Sequence, residues 1–318
     1  MSSAGSAADS PGLSPSDSDS GQRPRTSNLR LYSRALLREK PTLVAVIFLV
    51  ALIFAAIFAP LVVPHDPETQ SLMLRNMPPM TEAEADGGLP HVLGNDQLGR
   101  DLLSRLIYGA RISLAVGVAG AVFSGLVGVT LGLIAGYYRG IVDDIIMRLV
   151  DTQMGFPSLM TALLVLYVLG PGVWKVILVL AVTRWMVFAR VTRGLVLSLR
   201  EEVFVDAART VGCSDRRILF RHILPNLLSP LIVLVTLEVA TMMLTEASLS
   251  FLGLGIQPPE SSWGLMLAQG RAYVTTAWWL VTFPGLAILF TALSLNLIAT
   301  WIRAVTDPVT RWRYLGPR

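Results

Sequence analysis

The chain has 318 residues, 53% of them hydrophobic and only 15% charged. That is more apolar surface than a soluble protein of this length can bury, and the excess is gathered in runs. The net charge of +4 is dispersed along the margins of those runs, which argues against a nucleic-acid partner, and a single cysteine excludes an intrachain disulfide or a thiolate metal cluster.

Residues 1–28 are rich in Ser, Pro, Gly and Asp and hold only Met1 and Leu13 as large apolar residues. They cannot offset the entropy of ordering, so a disordered cytosolic tail is expected. A secretory signal does not fit, because the first apolar run starts too late and is too long. Residues 29–64 form an N-terminal region with the first span. Arg30, Arg34, Arg38 and Lys40 lead into it at helical spacing, suited to anionic headgroups, and Pro60 and Pro64 close it.

Six runs are candidates to cross a bilayer, which takes about 18 or more apolar residues. They are 43–63, 112–137, 158–169 extended back toward 150, 173–191, 227–244 and 280–302. The expected fold is therefore all-α: a polytopic membrane protein with six transmembrane helices. With both termini in the cytosol, 20 of the 26 Lys and Arg residues fall inside and six outside, as the positive-inside rule favours. The boundaries that follow are an external loop with an amphipathic helix at 65–110, a membrane domain at 111–303 and a cytosolic tail at 304–318.

Within the external loop, Asn95 or Asp96 can cap a helix whose apolar face is Leu98, Leu102, Leu106, Leu103 and Ile107. Arg100, Asp101, Ser104 and Arg105 form its other face. It is either an interfacial helix leading into span two or an external gate or docking surface. Span two carries Gly120, Ser124, Gly128, Gly132 and Gly136, a small-residue stripe that lets a second backbone come close. Asp143, Asp144, Arg148 and Asp151 follow it and are suited to ion pairs at the membrane edge. Phe156-Pro157 can hinge the entry to span three. Arg184, Arg190 and Arg193 in span four are either snorkelling or paired.

A polar stretch, 198–226, interrupts the apolar runs. It reads as two short helices broken at Gly212, with Ser214 as N-cap of the second and Pro225 as its stop. Cys213 here is a small residue after a turn or, less simply, a redox group. Beyond it, Glu238 lies mid-span and Glu246 near the outer end. A mid-bilayer acid costs roughly 2.5–3.5 kcal/mol on insertion scales. Both are candidate pathway residues, and a helix–helix hydrogen bond explains Glu238 as well. Gly, Pro and Trp at 248–264 suggest an ordered external loop, and Trp278 and Trp279 an aromatic belt at the start of the last span.

No phosphate-binding Gly-x4-Gly-Lys-Ser/Thr loop is present, and His65, His91 and His222 form no metal-ligand spacing. No nucleophile elbow or zinc-protease motif occurs. Catalysis by the chain itself is not expected.

The polar stretch resembles the coupling loop of ABC-importer permeases. Asp206-Ala207-Ala208, Gly212 and Leu224-Pro225 stand where that family has Glu-Ala-Ala, Gly and Leu-Pro, with Asp for Glu and with His222 in a slot that is usually apolar. The stretches 91–101, 221–226, 249–255 and 262–264 are similar to the C-type permease subunit of dipeptide and oligopeptide importers, over about residues 33 to 310. Near the end, Thr300 and Ala304 precede Asp307-Pro308 where relatives often have acids.

The resemblance implies a type I ABC importer permease fold in a bacterial inner membrane. It implies a homologous second permease, two ABC ATPase domains that bind ATP and Mg, an extracytoplasmic binding protein and a peptide substrate. This chain then binds no cofactor of its own. Glu202, Asp206, Ala207, Ala208, Gly212, Ile218, Leu224 and Pro225 become the expected ATPase-coupling residues. A secondary transporter that uses Glu238 or Glu246 as an ion relay is the alternative.

Overall fold

The computed structural model describes residues 36–80 and 89–306. The tail expected at 1–28 and the stretch from 307 lie outside the described residues. The longer elements are helices: α1 (Lys40–Ile57), α2 (Leu102–Tyr138), α3 (Gly140–Met154), α4 (Ser158–Leu169), α5 (Val173–Leu199), α6 (Val203–Thr210), α7 (Asp215–Phe251), α8 (Trp263–Gly270) and α9 (Trp279–Thr306), with single turns at Ala59–Val62, Leu72–Leu74 and Arg271–Tyr273.

Helix α2 is the axis. Its 37 residues rise about 55 Å, well past the ~30 Å hydrocarbon core of a bilayer. Asp101 starts it, accepting the Ser104 N–H at 2.7 Å. The amphipathic segment expected as a separate helix is thus the first turns of α2. Asn95 and Asp96 cap nothing; they lie in a buried loop where Asn95 bridges to Asp101. The small-residue stripe works as expected. A Cβ on Gly128 would sit 2.2 Å from the Trp185 carbonyl oxygen, and one on Gly132 2.5 Å from that of Ala189. Helices α2 and α5 consequently form the most extensive pair in the fold.

Helix α7 packs on α2 and α9, and α1 lies against α9 and α2. Helix α1 buries Thr42, Ala45, Leu49 and Ala56 on one face and leaves Val44, Ile47, Val50 and Phe54 exposed on the other. An apolar face of that size suits lipid or another membrane helix.

By length and apolarity four helices can span a bilayer: α1, α2, α7 and α9. The expected third span is instead two helices, α3 and α4, which meet at 85°. Pro157 has no N–H to continue the ladder and pushes Phe156 out of the helical region, so the chain turns there. The pair makes a fifth crossing only if it is taken as one. The expected fourth span, α5, is 27 residues long, but every 18-residue window of it holds three basic residues. Among the described residues, length and apolarity alone therefore identify four or five of the six expected spans.

Two larger apolar clusters and a small third one, Val150, Met186 and Ala189, are buried among the described residues. Of the first two, the larger includes Leu102, Val116, Leu180, Met242 and Trp263. The smaller gathers Leu133, Tyr137, Val196, Val205, Ile218, Ile223 and Leu227 at the far end of α2.

Candidate coupling surface

Helix α6 and the start of α7 sit on the smaller cluster. Val205 and Ala208 point into it, as do Ile218, Leu219 and Ile223. The opposite side is open: Val203 is 81% exposed, Val211 83% and Phe220 61%. Ala207 is exposed as well, and so are the neighbouring Arg209, Arg216, Arg217 and Arg221. The result is an exposed apolar surface with arginines beside it.

Local chemistry explains the shape. Helix α6 ends with the Cys213 N–H donating to the Ala208 carbonyl at 3.0 Å and the Gly212 N–H to that of Arg209 at 2.9 Å. This paired closure needs a left-handed residue, and Gly212 supplies it at φ +82°. Cys213 tucks partly into the cluster as a small apolar residue. Ser214 occupies the N-cap position of α7, but its side chain makes no capping bond.

Pro225 does not stop the second helix. Residues Ile218–Ile223 run as a π-helix, and the Leu224 N–H bonds to the Leu219 carbonyl. The wide turn places Pro225 in the first turn of the α-helical stretch Leu224–Phe251, where a proline costs no ladder bond. From Asp215 onward the polar stretch is therefore continuous with the apolar run of α7, and α6 joins it through the turn at Gly212.

The expected coupling residues divide into two layers. Glu202, Asp206, Ala207, Gly212 and Pro225 are exposed. Ala208 and Ile218 are buried and Leu224 is half-buried, so these seat the element in the bundle.

One residue the sequence reading missed joins this surface to α2. The Tyr137 hydroxyl lies 2.7 Å from Asp215 Oδ1, and its backbone carbonyl accepts from Arg200 Nη1 at 2.5 Å. Arg200 and Arg209 also stand over its ring, at 6.0 and 5.7 Å from the centroid. An aromatic pair, Tyr137-Tyr138, at the end of a long apolar run was the available signal.

The three arginines of α5 are all paired. Arg193 grips Asp143 on α3 at 2.7 and 2.5 Å, and Arg190 pairs with Asp151 on the same helix. Arg184 holds Glu238 on α7. Glu238 is thus engaged in a bidentate ion pair between helices. Glu246 is fully buried and accepts from Ser250 Oγ at 2.7 Å and Ser262 Oγ at 2.8 Å. The first bond lies within α7, and the second draws the N-terminus of α8 onto it. The sequence showed no helix at α8; Ser262 caps it through the Leu265 N–H, and Trp263 Nε1 donates to the Leu106 carbonyl.

At the other end of α2, the polar face of the amphipathic segment points inward. Asp96 accepts from Arg100 Nε at 2.8 Å and pairs with Arg105, and Asp101, Ser104 and Arg105 are buried. Trp279 is buried here too, donating to the Asn95 carbonyl, while Trp278 remains exposed as a belt residue would. His65 and His91, unremarkable in sequence, stack on each other beside Asp101.

Residues 128–312 match the family model "Binding-protein-dependent transport system inner membrane component", and 27–79 match "N-terminal TM domain of oligopeptide transport permease C". The di/tripeptide transport system permease protein DppC of Pseudomonas aeruginosa is 40% identical over 283 residues, covering 89% of this chain and 92% of its own. The glutathione transport system permease protein GsiD of Escherichia coli is 41% identical over 279 residues (87% and 89%). The dipeptide permease DppC of Bacillus subtilis is 37% identical over 296 residues (93% and 90%). In fold, the chain resembles an inward-facing structure of the MetNI methionine ABC transporter, with a TM-score of 0.54, 17% identity and coverage of 65% of this chain and 98% of that one.

These relatives give no support to the ion-relay alternative, in which Glu238 or Glu246 drives a secondary transporter. The chain belongs to the family of binding-protein-dependent transport system inner membrane components, the permease subunits of ABC importers.

Proposed function

We propose that this chain is the permease subunit of an ATP-driven peptide importer in a bacterial inner membrane. It forms half of the translocation pathway beside a homologous second permease. Two ABC ATPase domains bind ATP and Mg, and an extracytoplasmic binding protein delivers the peptide. In this reading the chain crosses the membrane six times, with α5 and the bent α3–α4 pair completing the count and both termini in the cytosol. The ion pairs of Arg184, Arg190 and Arg193 offset the charge that α5 carries into the bundle.

The observation that carries the reading is the exposed apolar side chains of α6 and of Phe220, the latter at the start of a helix long enough to span a bilayer. An apolar stripe with arginines beside it fits a cleft on an ATPase surface. Closure of the ATPases then moves α6 and α7 as a body, and Tyr137 carries that motion to α2. At the opposite end, a cavity of about 410 Å³ is lined by Glu68, Arg100, Tyr108, Arg111 and Glu260. Both signs of charge suit the two termini of a peptide.

The test uses the complex purified through this chain and reconstituted in vesicles. Gly212 is exposed and has nothing within 4 Å of an added Cβ, so a side chain can leave the backbone there into open space. The cost of Gly212→Trp in stability is the left-handed backbone, about 1–2 kcal/mol. The expected outcome is normal insertion, loss of ATP-dependent dipeptide uptake and loss of ATPase co-purification. Full uptake by inserted Gly212→Trp overturns the coupling role.

A further inference from the structure

Three segments distant in sequence meet where α1 ends and α2 begins. His65 follows the exit of α1, His91 lies in the loop before α2, and Asp101 caps α2. His91 Nδ1 is 2.9 Å from Asp101 Oδ1, and His65 Nδ1 is 3.8 Å from the same oxygen. The two rings stack with centroids 4.4 Å apart. One ligand atom from each residue lies within 4.8 Å of the others.

Two further observations separate this arrangement from an ordinary capped helix. Asp101 divides its labour: Oδ2 accepts from the Ser104 N–H and from Ser104 Oγ, both at 2.7 Å, which fixes the carboxylate and leaves Oδ1 facing the imidazoles. The His65 backbone N–H in turn donates to Ser104 Oγ at 3.3 Å, so the serine orients ligand and loop together. Both ring nitrogens of His65 are buried and have no hydrogen-bond partner. Burying an imidazole without a hydrogen-bond partner is costly, and among the described residues only the stacked His91 ring and Asp101 Oδ1 at 3.8 Å face it.

We propose that His65, His91 and Asp101 bind a divalent transition-metal ion of the zinc class. Four-coordinate zinc, with bonds of about 2.0–2.2 Å to nitrogen and oxygen, needs ligand atoms roughly 3.3–3.5 Å apart, so binding requires the two stacked rings to rotate until their in-plane lone pairs converge on one point beside Asp101 Oδ1. Two imidazoles and one carboxylate favour zinc over magnesium or calcium, which want mostly oxygen ligands, and the absence of a thiolate disfavours copper(I). His65 is partly exposed, so water can supply the fourth ligand. Ser104 is the outer-shell partner that aligns the carboxylate. The ion ties the region after α1, matched by the N-terminal family model, to the start of α2. It acts as a staple and does not depend on which solute is transported.

The test uses the full chain in detergent, carrying a tag without histidines and stripped with EDTA. Zinc alone is titrated and bound metal is counted by mass spectrometry. The expected result is one zinc per chain, with affinity lowered at least about tenfold in His65→Gln, since even outer-shell losses cost 10–100-fold. His222→Gln, at the opposite end of the bundle, should bind as wild type does. A second readout needs no variant: zinc should shield His65 and His91, but not His222, from diethylpyrocarbonate. No stoichiometric zinc, equal zinc in His65→Gln, or equal labelling of His65 with and without zinc overturns the proposal.

Discussion

Arg184 holds Glu238 with both arms: Nε to Oε2 at 2.9 Å and Nη2 to Oε1 at 2.7 Å. The acid is buried, and the two residues sit mid-helix on α5 and α7. A bidentate pair of this kind satisfies a carboxylate that lipid would otherwise make prohibitively costly. Breaking one side should be far worse than removing both. Arg184→Ala, which strands a buried carboxylate, should cost about 3–5 kcal/mol, whereas Arg184→Met with Glu238→Leu should be near neutral. Thermal unfolding of the detergent-solubilised chain distinguishes them. Equal melting of the single and double variants would mean that the pair does no structural work. If transport also survives the double variant, neither group relays an ion.

The glycines of α2 and α5 should respond in opposite directions to the same change. Gly128→Ala drives a methyl into the Trp185 carbonyl oxygen at 2.2 Å and Phe188 Cβ at 2.5 Å, a clash that only separating the helices can relieve. It should lower stability by about 1–3 kcal/mol. Gly194→Ala, on the exposed side of α5 with nothing within 4 Å, should raise it by about 0.5–1 kcal/mol through helix propensity alone. Paired denaturation curves test both. A stabilising Gly128→Ala would contradict the close crossing.

Asp96 is an acceptor with no slack. It takes the N–H groups of Leu98 at 2.8 Å and Arg100 at 3.0 Å and also pairs with the side chains of Arg100 and Arg105. Asp96→Asn turns a donor toward two guanidinium groups and leaves Arg105 buried without a counter-charge. The expected loss is about 3–5 kcal/mol, nearly independent of salt because the pair is out of water. Melting at low and high ionic strength measures it. A loss that vanishes in high salt would place the network at the surface.

What the sequence disclosed was local. Gly212 and the apolar runs act through neighbours a few positions away, and the small residues of α2, although they meet Trp185 and Ala189 on α5, repeat every fourth position, so periodicity and spacing revealed them. Pro225 misled because the π-turn that accommodates it is set by burial of Ile218, Leu219 and Ile223, a tertiary effect. The three arginines of α5 were visible, but their partners Asp143, Asp151 and Glu238 are 39 to 54 residues away. Helix α8 has only eight residues and is held by Gly264 lying against Ala247, which no propensity encodes. His65 and His91 meet only because their connecting loop folds back. In the candidate site, the exposed layer was legible from its motif, whereas Tyr137 was not, since its role depends on where α2 ends.

Tyr137 is where the proposed coupling surface meets α2. Its ring is buried in the smaller cluster, while its hydroxyl reaches Asp215 at the first position of α7. Two changes separate these roles. Tyr137→Phe keeps the packing and removes one hydrogen bond to a largely exposed carboxylate, so stability should fall by no more than about 0.5–1.5 kcal/mol. Tyr137→Ala empties part of the cluster and should cost about 3–5 kcal/mol. If the bond transmits motion, the Phe variant should assemble and hydrolyse ATP in the reconstituted complex yet transport fewer peptides per ATP. Measuring uptake and hydrolysis together on the same vesicles gives that ratio. An unchanged ratio in Tyr137→Phe would leave packing, rather than the hydroxyl, as the link between α7 and α2.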